Sequence, residues 1–281
     1  MRELRVVKYQ ASGNDFLLVD GDVPSPGDVR ALCDRWHGVG ADGVIGLAGG
    51  HGSALTFTLS NADGTSARTS GNGLRCIGAF AHELGRVDES ELVVETAAGP
   101  KLISLDLDGN RAVGATVSMG PPNFTKAAIP MRGPAWETFL EQPFDIGGGL
   151  ILTASAVSMG NPHLVLFTTE DPASYHLHHI GPALEHHELF PERTNVELAR
   201  IADGVIDVRV WERGVGETLA CGTGACAVAV TAREAGWVGH VTTVRFPGGP
   251  LHVERRDDGE VLLRGPVARV FEAVVDLDGL V

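Results

Sequence analysis

Twice along this chain a short apolar strand ends on a polar residue, and nine positions later a glycine-rich turn opens an apolar helix. The first copy runs through Leu55–Ser60, Asn61, Ser70 and Gly71-Asn72-Gly73. The second runs through Val205–Trp211, Glu212, Cys221 and Gly222-Thr223-Gly224. Each helix then meets a glycine stop fifteen positions after its start, at Gly85 and Gly236, where a left-handed cap residue belongs. Upstream, Gly13-Asn14 and Gly160-Asn161 precede the two helix starts by 57 and 61 residues. This is an internal duplication with an offset of roughly 150 residues. It demands two similar halves, each with its own core, and it predicts one site served by two helix starts.

The rest of the pattern supports an α/β (α+β) fold of two pseudo-symmetric domains, each a mostly antiparallel sheet curled around a central helix. Short apolar runs between turn residues read as strands, and the two runs opening at Gly71 and Gly222 are apolar on all sides, as buried helices are. The expected domains are residues 1–120 with a returning C-terminal strand at about 267–281, and residues 121–266, with the site in the cleft between them. Ser25-Pro26-Gly27-Asp28 starts a further helix that carries Cys33 and is expected to end near His37-Gly38. Residues 171–187 read as helical in two pieces, broken at Gly181-Pro182, with a histidine-rich exposed face. The stretch from Met131 to Asp145 has no clear period.

A formal charge of −14 argues against nucleic acid and anionic membrane surfaces as partners. No run of eighteen apolar residues and no signal-like N-terminus is present, so a cytoplasmic location and no membrane partner are expected. The four cysteines are then expected reduced, and no pair has zinc-like spacing, so no metal is expected. The lysines, Lys8, Lys101 and Lys126, stand in no motif for a pyridoxal Schiff base, and no cofactor is expected.

Cys221 stands at a helix start, where unpaired N–H groups and the helix dipole favour a thiolate. The alternative is a small buried cysteine that only fills core space. The glycines beside it let a carboxylate or phosphate approach the helix end. Cys33 reads as inert packing.

Gly13-Asn14-Asp15-Phe16, Asn61-Ala62-Asp63-Gly64, Gly71-Asn72-Gly73, Met159-Gly160-Asn161-Pro162-His163, Glu212-Arg213-Gly214 and Ala220-Cys221-Gly222-Thr223-Gly224 resemble, in order and over essentially the whole chain, the motif series of diaminopimelate epimerase. The resemblance implies two similar α/β domains and interconversion of LL- and meso-diaminopimelate without cofactor by a pair of facing cysteines. It implies a small-molecule substrate, lysine biosynthesis and a homodimer. It places Cys221 and position 70 at the reacting carbon, with Glu212 and His163 supporting them. It sets N–H groups of Gly71, Asn72, Gly222 and Thr223 on the α-carboxylate, and Asn14, Asn61, Asn161, Asn195 and Arg213 on the distal amino-acid end. A distal zwitterion needs just such a cation and amide oxygens.

There is one departure: where the family's first catalytic cysteine stands before Gly-Asn-Gly, this chain has Ser70. Cys76, six residues on, matches the family's non-catalytic cysteine. Inverting a carbon requires a base on one face and an acid on the other, and a hydroxyl cannot reach the alkoxide without a strong neighbouring base. Three readings follow. Ser70 is a cysteine replacement in an epimerase with little activity, made to prevent a disulfide or to hold substrate. Or the chain is a related amino-acid racemase or dehydratase with one-base chemistry. Or it is a diaminopimelate-binding paralogue without catalysis.

Overall fold

A computed structural model describes residues 2–50 and 53–280. The chain divides into two compact units, Met1–Ser118 with Arg264–Val281, and Met119–Leu263.

In the first unit, strands Glu3–Ala11 and Asn14–Asp20 form a hairpin with Ala11 opposite Asn14. The two linking residues, Ser12 and Gly13, both have positive φ (55° and 83°), the twist that a two-residue hairpin turn requires. Helix α1 (Pro26–Cys33) carries the chain to Gly43–Gly50, which lies parallel to Asn14–Asp20, with Phe16 opposite Gly43. Ser25 caps α1 by accepting the Asp28 N–H. The helix ends at Cys33, short of the expected His37-Gly38, because the Asp34 carboxylate takes the N–H groups of Trp36 and His37 at 2.7 Å. Gly43–Gly50 pairs antiparallel with Ser53–Asn61. Helix α2 (Gly71–Glu83) then crosses to Glu91–Thr96, parallel to Ser53–Asn61. Two further hairpin strands, Gly99–Asp108 and Arg111–Gly120, follow. The late strand Ala268–Asp276 pairs with Glu3–Ala11. Every residue of α2 from Gly71 to Ala81 is buried, so the sheet wraps a helix that has no solvent face.

The second unit repeats this order. Gln142–Asp145, Ile151–Ser158 and Pro162–Phe167 pair antiparallel. Helix α3 (Leu177–Glu185) leads to Asn195–Ala202, parallel to Pro162–Phe167 with His163 opposite Asn195. A second two-residue positive-φ turn, Asp203-Gly204, returns the chain as Val205–Glu212. Helix α4 (Gly222–Glu234) crosses to Val241–Phe246, parallel to Val205–Glu212. Ala225 to Ala232 are all buried. In both units a short return strand, Ser66–Ala67 or Gly216–Thr218, pairs with the end of the strand before the central helix. The sheets are mixed but mostly antiparallel, each around one apolar helix. No helix among the described residues is long and apolar enough to cross a membrane.

A further local expectation fails for an identifiable reason. The segment before Asn195 does not break at Gly181-Pro182; α3 runs through both, and the interruption falls earlier, between the short turn Pro172–Ser174 and Leu177. Gly181 is a packing residue: a Cβ there would lie 2.5–2.7 Å from the Trp211 ring. The aperiodic stretch after Met131 is irregular until Gln142–Asp145, yet it buries Ile129, Met131 and Phe144 in the core of this unit. Gly181→Ala is therefore expected to lose about 1–3 kcal/mol of stability through overpacking. Gly239→Ala, where a Cβ meets nothing within 4 Å, should stay near the parent. Thermal denaturation of the two variants side by side checks this.

Candidate active site

Cys221 is the N-cap of α4, in an extended conformation (φ −125°, ψ 119°) that turns its side chain back over the first turn. The Gly224 N–H donates to Sγ at 3.4 Å, and Thr223 Oγ1 lies 3.4 Å from Sγ. Cys221 is buried, with 5% of its surface exposed. Glu212 ends the preceding strand, and its Oε1 accepts the Thr218 hydroxyl at 2.5 Å. Behind the helix start, His163 and Glu197 are fully buried, with Nδ1 and Oε1 2.7 Å apart. The other ring nitrogen of His163 lies 3.0 Å from Asn161 Oδ1, and Asn161 Nδ2 donates to Thr223 Oγ1 at 3.3 Å. Glu197, His163, Asn161, Thr223 and Cys221 thus form one continuous polar chain.

The charge state of the thiol differs from what the helix end alone implies. Burial pushes the Cys221 thiol well above its ordinary value, and the Glu212 and Glu197 carboxylates push it further. The Thr223 and Gly224 hydrogen bonds, the contribution of the helix start, oppose the shift without reversing it. The expected thiolate is replaced by a resting thiol. Burial also raises the Glu212 carboxyl, against hydrogen bonds from Thr218 and Cys221. Two acids of raised pKa side by side can pass one proton between them. Cys76 is wholly buried, and burial pushes its thiol up to about 12, so it is no substitute for a reactive group. The four cysteines are free and buried.

Ser70 is the N-cap of α2, with the same extended backbone (φ −149°, ψ 124°) and the same role. Its Oγ accepts the Gly73 N–H at 3.1 Å, its one hydrogen bond among the described residues. Asn72 donates to Asn14 Oδ1 at 3.2 Å and accepts from the buried Arg75 at 2.7 Å; Asn14 in turn donates to Asp42. Asn61 is exposed beside Thr65. The N–H groups of Gly71 and Asn72, and of Gly222 and Thr223, belong to first helical turns and have no intrahelical acceptor.

Asn195 is buried and uses both ends of its amide: Nδ2 donates to Pro162 O and Oδ1 accepts the Arg213 N–H, each at 2.9 Å. It fixes the backbone that presents Arg213, whose exposed guanidinium donates to Glu192 O at 3.2 Å. Glu185 of α3 completes this support, accepting Gly214 N–H and Trp211 Nε1 at 2.8 Å. Glu185 and Glu197 were missed by motif reading. The available signal for Glu197 was a carboxylate inside the apolar run Val196-Glu197-Leu198-Ala199.

The diaminopimelate epimerase family model matches residues 6–125 and 155–270. The chain belongs to the diaminopimelate epimerase family. It is 40% identical to the diaminopimelate epimerase of Moorella thermoacetica, over 98% of this chain and 100% of that protein. It is 43% identical to that of Desulforudis audaxviator, over 96% and 98%. In fold it is similar to a hydroxyproline epimerase from Agrobacterium vitis solved with bound trans-4-hydroxy-L-proline (TM-score 0.73, 16% identity, 99% and 93% coverage). Membership makes this chain an epimerase, an isomerase, by family.

Glu212 gives a stability prediction. Its pKa is raised by folding, so its protonated form favours the folded state, and stability is lost as pH rises through the raised value. Glu212→Gln keeps the acceptor for Thr218 and removes the buried charge. It should raise Tm by about 2–4 °C at neutral pH, with the gap closing below the ordinary glutamate range. Melting curves across pH 4–8 (about this window, set by the ordinary glutamate value) measure the gap; one that widens in acid contradicts the assignment.

Proposed function

We propose that this chain acts on diaminopimelate, in lysine biosynthesis, by moving the α-proton through Cys221, and that Ser70 leaves it little able to invert the carbon. The observation that carries this reading is the placement of Cys221 at the start of α4 between Glu212 and the Thr223 hydroxyl. The substrate comes from the names of relatives about 40% identical over nearly the full chain.

Reaction begins with the Cys221 proton moving to Glu212. The thiolate then takes the α-hydrogen, and the electron pair stays on the substrate as a carbanion. The family resemblance assigns N–H groups of Gly71, Asn72, Gly222 and Thr223 to the carboxylate on which that charge spreads. Inversion needs a proton from the opposite face, which the family resemblance assigns to position 70. Ser70 Oγ has no carboxylate or imidazole bonded to it among the described residues, so nothing there activates the hydroxyl. Reprotonation therefore returns mainly from Cys221, with retention.

Arg213 supports diaminopimelate over the proline-type substrate of the structural neighbour, because a second carboxylate needs a cation. Arg213→Ala should cost about 2–5 kcal/mol of diaminopimelate binding by calorimetry. Unchanged affinity, with proline binding well, would sink this substrate. Ser70→Cys should raise epimerisation about 10²-fold or more, since a general acid–base group contributes on that scale. The assay follows LL- and meso-diaminopimelate by chiral chromatography. A Ser70→Cys variant that binds but neither exchanges nor inverts would make this chain a binding protein.

A further inference from the structure

The second unit holds a carboxylate that the proposed proton path does not use. Glu197 lies in the strand Asn195–Ala202, whose first five residues are all buried, and none of its side chain is exposed. Oε1 is tied to His163, while Oε2 is buried with no hydrogen-bond partner among the described residues. A buried carboxylate with an unsatisfied oxygen lowers stability relative to a well-packed apolar side chain. The first unit shows that this fold accepts the apolar alternative. Phe16 and Gly43 form the parallel register pair there, as His163 and Asn195 do in the second unit. Two positions on from the second member stand Ile45 and Glu197. A Cβ placed on Gly73 would lie 3.0 Å from Ile45 Cδ1; one placed on Gly224 would lie 2.7 Å from Glu197 Oε1. Phe16 and Ile45 back the helix that Ser70 caps; His163 and Glu197 back the helix that Cys221 caps.

We infer that Glu197 is a positioning residue for proton transfer at Cys221: held by His163 against the first turn of α4, its carboxylate keeps the proton on the Cys221–Glu212 pair and strengthens that pair as a base. The titratable groups acting on the thiol are Glu212 from the preceding strand and Glu197 from the sheet behind; His163 and Glu197 both act on Glu212. Asn161 and Thr223 join His163 to the thiol by hydrogen bonds, so the acid–imidazole pair also fixes the Thr223 hydroxyl beside Sγ. The inference rests on the proton-transfer role given to Cys221 above.

The test is alkylation of Cys221 by iodoacetamide as a function of pH, quantified by mass spectrometry of its peptide, in the parent, Glu197→Gln and Glu197→Asp. Alkylation reads the thiol whatever the substrate is, so its outcome is separate from that of the diaminopimelate assays. Glu197→Gln keeps a hydrogen-bond acceptor for His163 and removes the charge. At a fixed pH near 8 its Cys221 should react about threefold faster or more, because less of the thiol holds its proton. Its profile should move to lower pH, and Glu197→Asp, which keeps the charge, should stay near the parent. Superimposable profiles for the parent and Glu197→Gln would overturn the inference. So would an equal shift in both variants, which would mark Glu197 as packing, or failure of Glu197→Gln to fold, which would mark it as structural.

Discussion

Enclosing a thiol with two carboxylates decides what the rest of the second unit must do. Cys221 has the helix-end N–H groups that favour a thiolate, but burial and the negative charges of Glu212 and Glu197 outweigh them. The Gly224 N–H and the Thr223 hydroxyl each sit 3.4 Å from Sγ and are neutral, while a carboxylate nearby acts at full charge in a low dielectric. The thiol rests protonated, and in the proposed reaction it becomes a base by handing its proton to Glu212. The hydroxyl of Thr218 on Glu212, and the Asn161–Thr223 link on the other side, keep both partners of that exchange in place.

The duplication makes the chemistry of each helix start comparable. Both units use the same strand order, the same short return strand and the same extended N-cap. The equivalent positions are nevertheless filled differently: Phe16, Ile45, Asn61 and Ser70 in one, His163, Glu197, Glu212 and Cys221 in the other. Every titratable group in these two sets belongs to the second unit. A cysteine at position 70 would supply an ionisable group of its own; a serine depends on neighbours that are apolar or amide. On the proposed reading, the scaffold around Ser70 supplies no group to replace the missing thiol.

Much of this was legible from residues because the central elements have strong local signatures. Glycine-rich turns located the first residues of α2 and α4, and short apolar runs between turn residues located most strands. Gly181 was read as a helix break because glycine beside proline usually is one; only the Trp211 ring, thirty positions away in sequence, explains it. Glu197 was hidden because a single carboxylate in a strand resembles a solvent-facing residue until the strand is seen to be covered on both faces. The state of Cys221 was misread for the same reason. A helix end is local, whereas the carboxylates that oppose it come from separate strands.

The central claim is that acid–base competence at the α-carbon lies on the Cys221 side alone. The direct measurement is to incubate the unaltered protein with LL- and meso-diaminopimelate separately in deuterated water, following label by mass spectrometry and configuration by chiral chromatography. The account predicts deuterium entering the α-position of one stereoisomer with its configuration retained, and little label in the other. Exchange of both stereoisomers at similar rates, accompanied by inversion, would contradict it.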